Sequence, residues 1–398
     1  MSTRWTTMWG TTAVALAATV SFAAAQETIK IGQTMPYSGP ASAYGQIGET
    51  EAACFEMINE EGGINGRQIE FISYDDAYSP PKTVEQTRKL VESDEVLFTF
   101  QNLGTPTNSA VHKYYNQKEV PQLFVATGAT KWGDPENYPW TMGWQPNYQT
   151  EAKIYARYIL ENMPDAKIAV LYQNDDYGKD YLHGFKEGLG DRTDMIIAEL
   201  PYEVADPTVD SQIISAKASG ADVFFNITTP KFAAQAIKKA HEIGWKPTHF
   251  LNNVSISVGS VLEPAGLEAS TGLISAQYQM DPTDTQWQDH EEYKEWSAFM
   301  DEYYPEGDKT SSFTSYGYAA CMTLKKVLEQ AGDDLSRENI MKEAANLQDV
   351  RVPMLLPGIN INTSPTDFYP IESMQLSKFN GKNWELFGDI ISAESGGS

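Results

Sequence analysis

From residue 29 onward, short apolar runs without polar alternation keep returning between stretches of helical periodicity. A strand with one wet face alternates in polarity. A strand covered on both faces does not, and such strands belong to parallel sheets packed between helices. The runs fall at 29–34, 69–74, 96–100 and 122–126, with helices predicted over 47–61, 81–92 and 108–117. Gly62 and Gly63 stop the first helix, and Pro81 sits where a first helical turn tolerates proline. The rhythm restarts after Pro146. Strands are predicted over 167–172, 195–200, 223–227, 249–251 and 273–277, and helices over 149–162, 181–189, 209–218 and 232–243. Two similar α/β halves therefore stand in tandem, a repeat of architecture rather than of sequence. A third block, 287–304 and 312–330, is helical. The tail returns to strand-like alternation over 371–379, followed by Asn380 and Gly381 as a hairpin turn. A strand tail after a helical block implies that the chain passes between the halves more than once. The expected fold class is α/β, with two Rossmann-like lobes carrying parallel sheets, and 398 residues are too many for one core.

Charge narrows the function. Lys and Arg total 29 against 54 Asp and Glu, a formal net charge of -25. Such a surface repels phosphate backbones, so no nucleic-acid partner is expected. Cys54, Cys321 and five histidines offer no metal-ligand spacing, and neither a metal nor a cofactor is expected. Arg4, an apolar run over 13–22 and Ala23, Ala24 and Ala25 read as a signal peptide of residues 1–25, cleaved after Ala25. The run falls short of the roughly 20 apolar residues of a spanning helix, so an exported protein is expected. Cys54 and Cys321 lie in predicted helices among apolar neighbours. They are either buried free thiols or, in an oxidising compartment, a disulfide.

No motif for nucleotide binding, metalloprotease or serine-hydrolase chemistry is present, and no catalytic residue is assigned. The carboxylate pairs Asp75–Asp76 and Asp175–Asp176 follow strand ends and read as loop caps. What remains is loop chemistry at the carboxyl ends of parallel strands, where open α/β sheets bind ligands. In the first half, Gly and Thr residues flank helix starts over 102–105 and 126–130. Free backbone N–H groups there, with a hydroxyl alongside, hold a carboxylate without arginine. The second-half loops offer Tyr177, Thr228, Thr229 and Asn252 to Val254.

Ile29-Lys30-Ile31-Gly32, with Tyr37-Ser38-Gly39-Pro40 and Tyr44-Gly45, resembles the opening of branched-chain-amino-acid-type periplasmic binding proteins. Asn59-Glu60-Glu61-Gly62-Gly63-Ile64-Asn65-Gly66-Arg67, then Tyr74-Asp75-Asp76, is highly similar to the same family, and Gly128-Ala129-Thr130, Tyr177-Gly178 and Tyr316-Gly317-Tyr318-Ala319-Ala320 also match. The resemblance covers nearly the whole chain after residue 27. It implies a type I periplasmic binding fold with a three-segment hinge near 142–149, 277–282 and 349–358. It implies a first lobe of 26–145 plus 281–352 and a second of 146–280 plus 353–398. It implies a monomeric periplasmic solute-binding protein, not an enzyme, that delivers a carboxylate or amino-acid ligand to the membrane permease of an ABC importer. A sensor subunit of the same fold, or a hydrolase using the aspartate pairs, is the competing reading. In the family, first-lobe loops hold the carboxylate, at positions matching Gly104 or Thr105 and Gly128, Ala129 and Thr130. The aromatic wall falls on Tyr44 and Tyr177, and a further second-lobe contact on Thr228 or Thr229. One departure stands out. The acidic residue that answers an amino acid's ammonium falls on Val254. A buried ammonium without an anionic partner costs several kcal/mol. The ligand expected from this alignment is therefore a hydrophobic or aromatic carboxylate lacking the amine, with a branched-chain amino acid as the alternative.

Overall fold

The computed structural model of the chain describes residues 1–2 and 28–392. But for its first two residues, the signal peptide expected over 1–25, with its cleavage point, lies outside the described residues. The first half runs β1 (Ile29–Met35), α1 (Gly45–Glu60), β2 (Ile69–Asp75), α2 (Pro80–Glu92), β3 (Phe98–Phe100), α3 (Thr105–Lys118), β4 (Gln122–Val125) and β5 (Thr141–Gly143). The second runs α4 (Tyr148–Asn162), β6 (Ile168–Gln173), α5 (Asp176–Leu189), β7 (Ile196–Tyr202), α6 (Asp210–Ala218), β8 (Val223–Ile227), α7 (Pro230–Glu242) and β9 (Thr248–Leu251), then the short α8 (Glu263–Ala265) and α9 (Leu267–Ser270), and β10 (Ile274–Gln277). The helical block is α10 (Glu291–Tyr303), α11 (Ser312–Ala331) and α12 (Arg337–Ala344), and the tail holds β11 (Ser373–Phe379), β12 (Trp384–Leu386) and β13 (Ile391–Ser392).

Two sheets result. The first has the order β2-β1-β3-β4-β5 and is parallel throughout. The second repeats that order as β7-β6-β8-β9-β10, then adds β11 and β12 antiparallel at its far edge. Strand order reverses between β1 and β3 and again between β6 and β8, and those are the switch points where doubly wound sheets open a crevice. Central strands such as β3, β4 and β8 are buried at every residue. β7 lies at an edge, and its burial alternates, leaving Ile197 exposed.

α11 packs against α1, so the helical block completes the first lobe. Cys54 on α1 and Cys321 on α11, both without solvent exposure, form a disulfide. The chain crosses between sheets near Trp144 and again through two segments side by side, joined by an antiparallel bridge at Gln279 and Leu355. There Met280 N–H donates to Met354 O at 2.8 Å, and Leu356 N–H to Tyr278 O at 2.8 Å. Residues beyond the third crossing fold back: Ile361 bridges to Val350, and Thr363 Oγ1 donates to Ala344 O at 2.7 Å. A boundary at 353 thus hands the second lobe a segment bonded to the helical block, and the chain joins the second sheet only at Ser373.

Two helices, α3 and α5, begin three and five residues earlier than their periodicity suggests, and both starts matter. α3 begins at Thr105 with Pro106 in its first turn. α5 begins at Asp176 because the Asp175 carboxylate caps it, accepting from Tyr177 N–H at 3.0 Å and Gly178 N–H at 3.4 Å. Polar first turns carry no apolar stripe, so hydrophobic spacing does not register them.

Candidate functional site

The loops after β1, β3 and β4 face those after β6, β8 and β9 across a cleft with about 600 Å³ of unfilled space, its mouth included. The first lobe contributes Tyr44, Ile47, Tyr78, Leu103, Gly104, Thr105 and Ala126. The second contributes Tyr177, Thr229, Asn253, Val254 and Ile256. Gln145, Tyr278 and Gln279 come from the crossings, Tyr148 from the start of α4, and Ser312, Phe313 and Tyr316 from the start of α11. Among the described residues that line it, none carries a formal charge.

One corner is built for an anion. Thr105 opens α3, and first-turn amides of a helix have no intrahelical carbonyl to reach. The Thr105 and Thr127 hydroxyls meet at 2.6 Å, which leaves one of the two protons free to donate elsewhere. Gly104 before the helix has φ +99°, and a Cβ there would lie 2.4 Å from the Tyr78 ring. Only glycine allows both that backbone turn and the ring's approach.

The opposite wall is aromatic. Tyr44 packs on Phe313 with ring centroids 5.0 Å apart. Its hydroxyl crosses the cleft and donates to Val254 O at 3.0 Å, so Val254 engages the first lobe through its backbone. Tyr177 receives a hydrogen bond on its hydroxyl from Asn252 Nδ2 at 2.5 Å. Behind this wall sits the buried carboxyl of Glu151. It accepts from Tyr155 and Tyr181 hydroxyls and from Asn253 N–H, each at 2.7 Å. Burial pushes its pKa up to about 7, against the pull of those three donors.

Charge gathers instead at the rim. Lys131 of the first lobe pairs with Asp176 of the second at 2.5 Å, and Ser109 donates to the same carboxylate at 3.0 Å. Thr130 gives both its N–H, at 2.8 Å, and its hydroxyl, at 3.0 Å, to Asp180. On the far rim Gly259 N–H donates to Thr310 O at 3.1 Å.

Of the residues singled out from sequence, Tyr44, Gly104, Thr105, Tyr177, Thr229 and Val254 line one cleft. Gly128, Ala129, Thr130 and Thr228 do not. Thr130 is taken up by Asp180, and Thr228 Oγ1 donates to Asn226 Oδ1 at 2.7 Å. Tyr148 covers Gly128, whose Cβ direction meets ring carbons at 2.7 Å. The aspartate pairs share no site. Asp75 takes Ser38 N–H at 3.1 Å, Asp76 takes Tyr78 N–H at 2.8 Å, Asp175 caps α5 and Asp176 sits on the rim. Sequence reasoning missed Tyr78, Tyr148, Tyr278, Phe313 and Gln145. Tyr148, Gln145 and Tyr278 lie within the anticipated crossings, and a crossing at the bottom of a cleft is itself a signal for lining residues. Tyr316 stood in a matched motif without an assigned role.

Two parallel α/β lobes with a closed, uncharged cleft at their switch points define a protein that encloses a small molecule between domains. A family model described as periplasmic binding protein matches residues 28–383, and the chain belongs to that family. A leucine-, isoleucine-, valine-, threonine- and alanine-binding protein of Pseudomonas aeruginosa is 25% identical over 81% of this chain and 83% of its own length. The fold matches a branched-chain amino acid ABC transporter protein of Thermus thermophilus with bound valine, at TM-score 0.82 and 14% identity, over 93% of this chain and 98% of that one. It also matches an ABC transporter solute-binding protein of Rhodopseudomonas palustris in complex with 3,4-dihydroxybenzoic acid, at TM-score 0.75 and 19% identity, over 92% and 98%. The fold is of the type I periplasmic binding kind, and among the described residues no helix is long and apolar enough to cross a membrane.

Proposed function

We propose that the chain captures a hydrophobic amino acid of the leucine, isoleucine and valine class in the periplasm and hands it to the membrane permease of an ABC importer. The observation that carries this reading is the cleft itself: an anion-ready helix start at Thr105 on one side and apolar aromatic walls on the other. Ligand contacts are assigned to Tyr44, Gly104, Thr105, Tyr177, Thr229 and Val254. The carboxylate rests on α3, and the side chain lies among Tyr44, Phe313 and Ile256. The relatives, which bind branched-chain amino acids by name, favour this over the amine-free carboxylate expected from the sequence. An ammonium has no carboxylate among the described lining residues, but six tyrosines line the cleft, and aromatic rings attract cations. The first lobe takes 28–145, the helical block and the returning segment up to about 370, and the second lobe takes the rest.

One observation supports a second reading, an amine-free carboxylate: Val254 stands where an acid is usual, and among the described residues no charged group lines the cleft. Titration calorimetry with matched pairs separates the two, leucine against 4-methylpentanoate and phenylalanine against 3-phenylpropanoate. Tighter binding of the amines supports the first reading, and tighter binding of the amine-free partners replaces it with the second.

A further inference from the structure

Tyr148 is the first residue of α4, a second-lobe helix, yet it is seated on the first lobe's loop after β4. Its N–H donates to Gly128 O at 2.8 Å. Its ring lies over Gly128 so closely that a Cβ there would meet two ring carbons at 2.7 and 2.8 Å. Its hydroxyl faces the Thr127 hydroxyl and the Gly128 amide, and Gln145 Nε2 donates to it at 3.4 Å. The ring is held from behind. It stacks on Tyr181 with centroids 4.3 Å apart and planes 19° apart, and meets the edge of Tyr177 at 5.5 Å. Tyr181 is in turn fixed by its hydrogen bond to Glu151 at 2.7 Å. Tyr148 lines the cleft while only 4% exposed.

Loop 127–130 has the composition of an anion nest: a glycine, a small residue and two threonines beyond a strand end. A phenol already occupies it. We propose that Tyr148 is a specificity-determining residue, a built-in plug that takes the place of a ligand group at Gly128, leaves the start of α3 as the cleft's anion site and limits the length of ligand that fits. The proposal rests on the reading of the cleft as a carboxylate or amino-acid site. A second-lobe side chain that fills a first-lobe loop also makes this limit a property of the closed state, in which both lobes confine the ligand. Size selection then follows from shape: deleting the ring opens a void next to Gly128, and only a longer ligand can fill it.

The test measures dissociation constants by calorimetry for wild type, Tyr148→Ala and Tyr148→Phe. The probes are a short and a long member of each class: leucine with phenylalanine, and 4-methylpentanoate with 3-phenylpropanoate. In Tyr148→Ala the affinity of the long probe relative to the short one should rise at least tenfold. In Tyr148→Phe, which keeps the ring, that ratio should stay within twofold of wild type. Should circular dichroism show that the alanine variant is unfolded, Tyr148→Leu takes its place and the ratio should rise at least threefold. A ratio unchanged in the truncated variant, with both probes weakened alike, overturns the plug and leaves Tyr148 a packing residue. If only the amine-free pair binds, the amino-acid reading falls while the size ratio still decides the plug. Failure of wild type to bind either pair overturns both.

Discussion

The interior of the cleft and its rim are built from opposite materials. Inside, among the described residues, hydroxyls, amides and aromatic rings meet without a formal charge, and the carboxyl of Glu151 behind them is buried among donors. At the rim, Lys131, Asp176 and Asp180 join the lobes through charged groups in contact with water. Neutral groups in a desolvated cavity discriminate by shape and hydrogen bonding, and salt does not screen them. Exposed ion pairs carry little selectivity and small energies. The interior should therefore set which ligand binds, and the rim how readily the lobes meet.

The sharpest break of this contrast is Glu151. In the unfolded chain it titrates near its ordinary value of about 4.3, whereas in the fold burial raises it to about 7. The folded state thus holds the proton more tightly. The stability from this group is complete below about pH 4.3 and is lost as pH rises through about 7. Glu151→Gln imitates the protonated form. Between pH 4 and pH 8, wild type should lose about 3 kcal/mol relative to the variant in urea unfolding, at about 1.4 kcal/mol per unit. Parallel pH profiles would show that the carboxyl is not buried as described.

Thr105→Val comes next. It removes a hydroxyl at the anion corner and should weaken a carboxylate ligand by about 1.5–3 kcal/mol, the range for hydrogen bonds to charged groups. The loss should be the same in low and high salt, and calorimetry at two ionic strengths checks this. Thr130→Val removes a hydroxyl from the rim. It should cost about 1 kcal/mol, equally for every ligand, because the bond it breaks holds lobe to lobe. A loss confined to carboxylates would return Thr130 to the ligand. The smallest effect belongs to Lys131→Met. With partners 38% and 52% exposed, the pair should contribute about 0.2–1 kcal/mol. That contribution should vanish in about 1 M salt, where the screening length is near 3 Å.

The same contrast explains what the sequence could reveal. Apolar strand runs were legible because burial on both faces leaves a one-dimensional trace. β7 was read as a strand, but only its place at a sheet edge explains why Ile197 is exposed. The cleft residues on strand-end loops, such as Tyr44 and Thr105, were legible from where loops must lie. Thr130 is ambiguous in sequence because a hydroxyl beside a glycine looks the same whether it faces a ligand or, as in this structure, Asp180. Tyr148 was invisible as a site residue, since its role depends on a stack with Tyr181 and a contact with Gly128 that no local pattern encodes. The ammonium question turns on Val254, whose carbonyl is engaged by Tyr44 from the other lobe, a partnership 210 residues apart.

The link between α1 and α11 sets an order of assembly. Cys54 and Cys321 stand 267 residues apart, with the whole parallel portion of the second sheet between them. A chain threaded across a membrane from its N-terminus exposes α1 long before the helix that covers it arrives. The second lobe's parallel strands are contiguous and need not wait. On the periplasmic reading proposed above, the first lobe is the part left open during export, with one thiol awaiting its partner, and the cleft exists only once that late helix has been delivered.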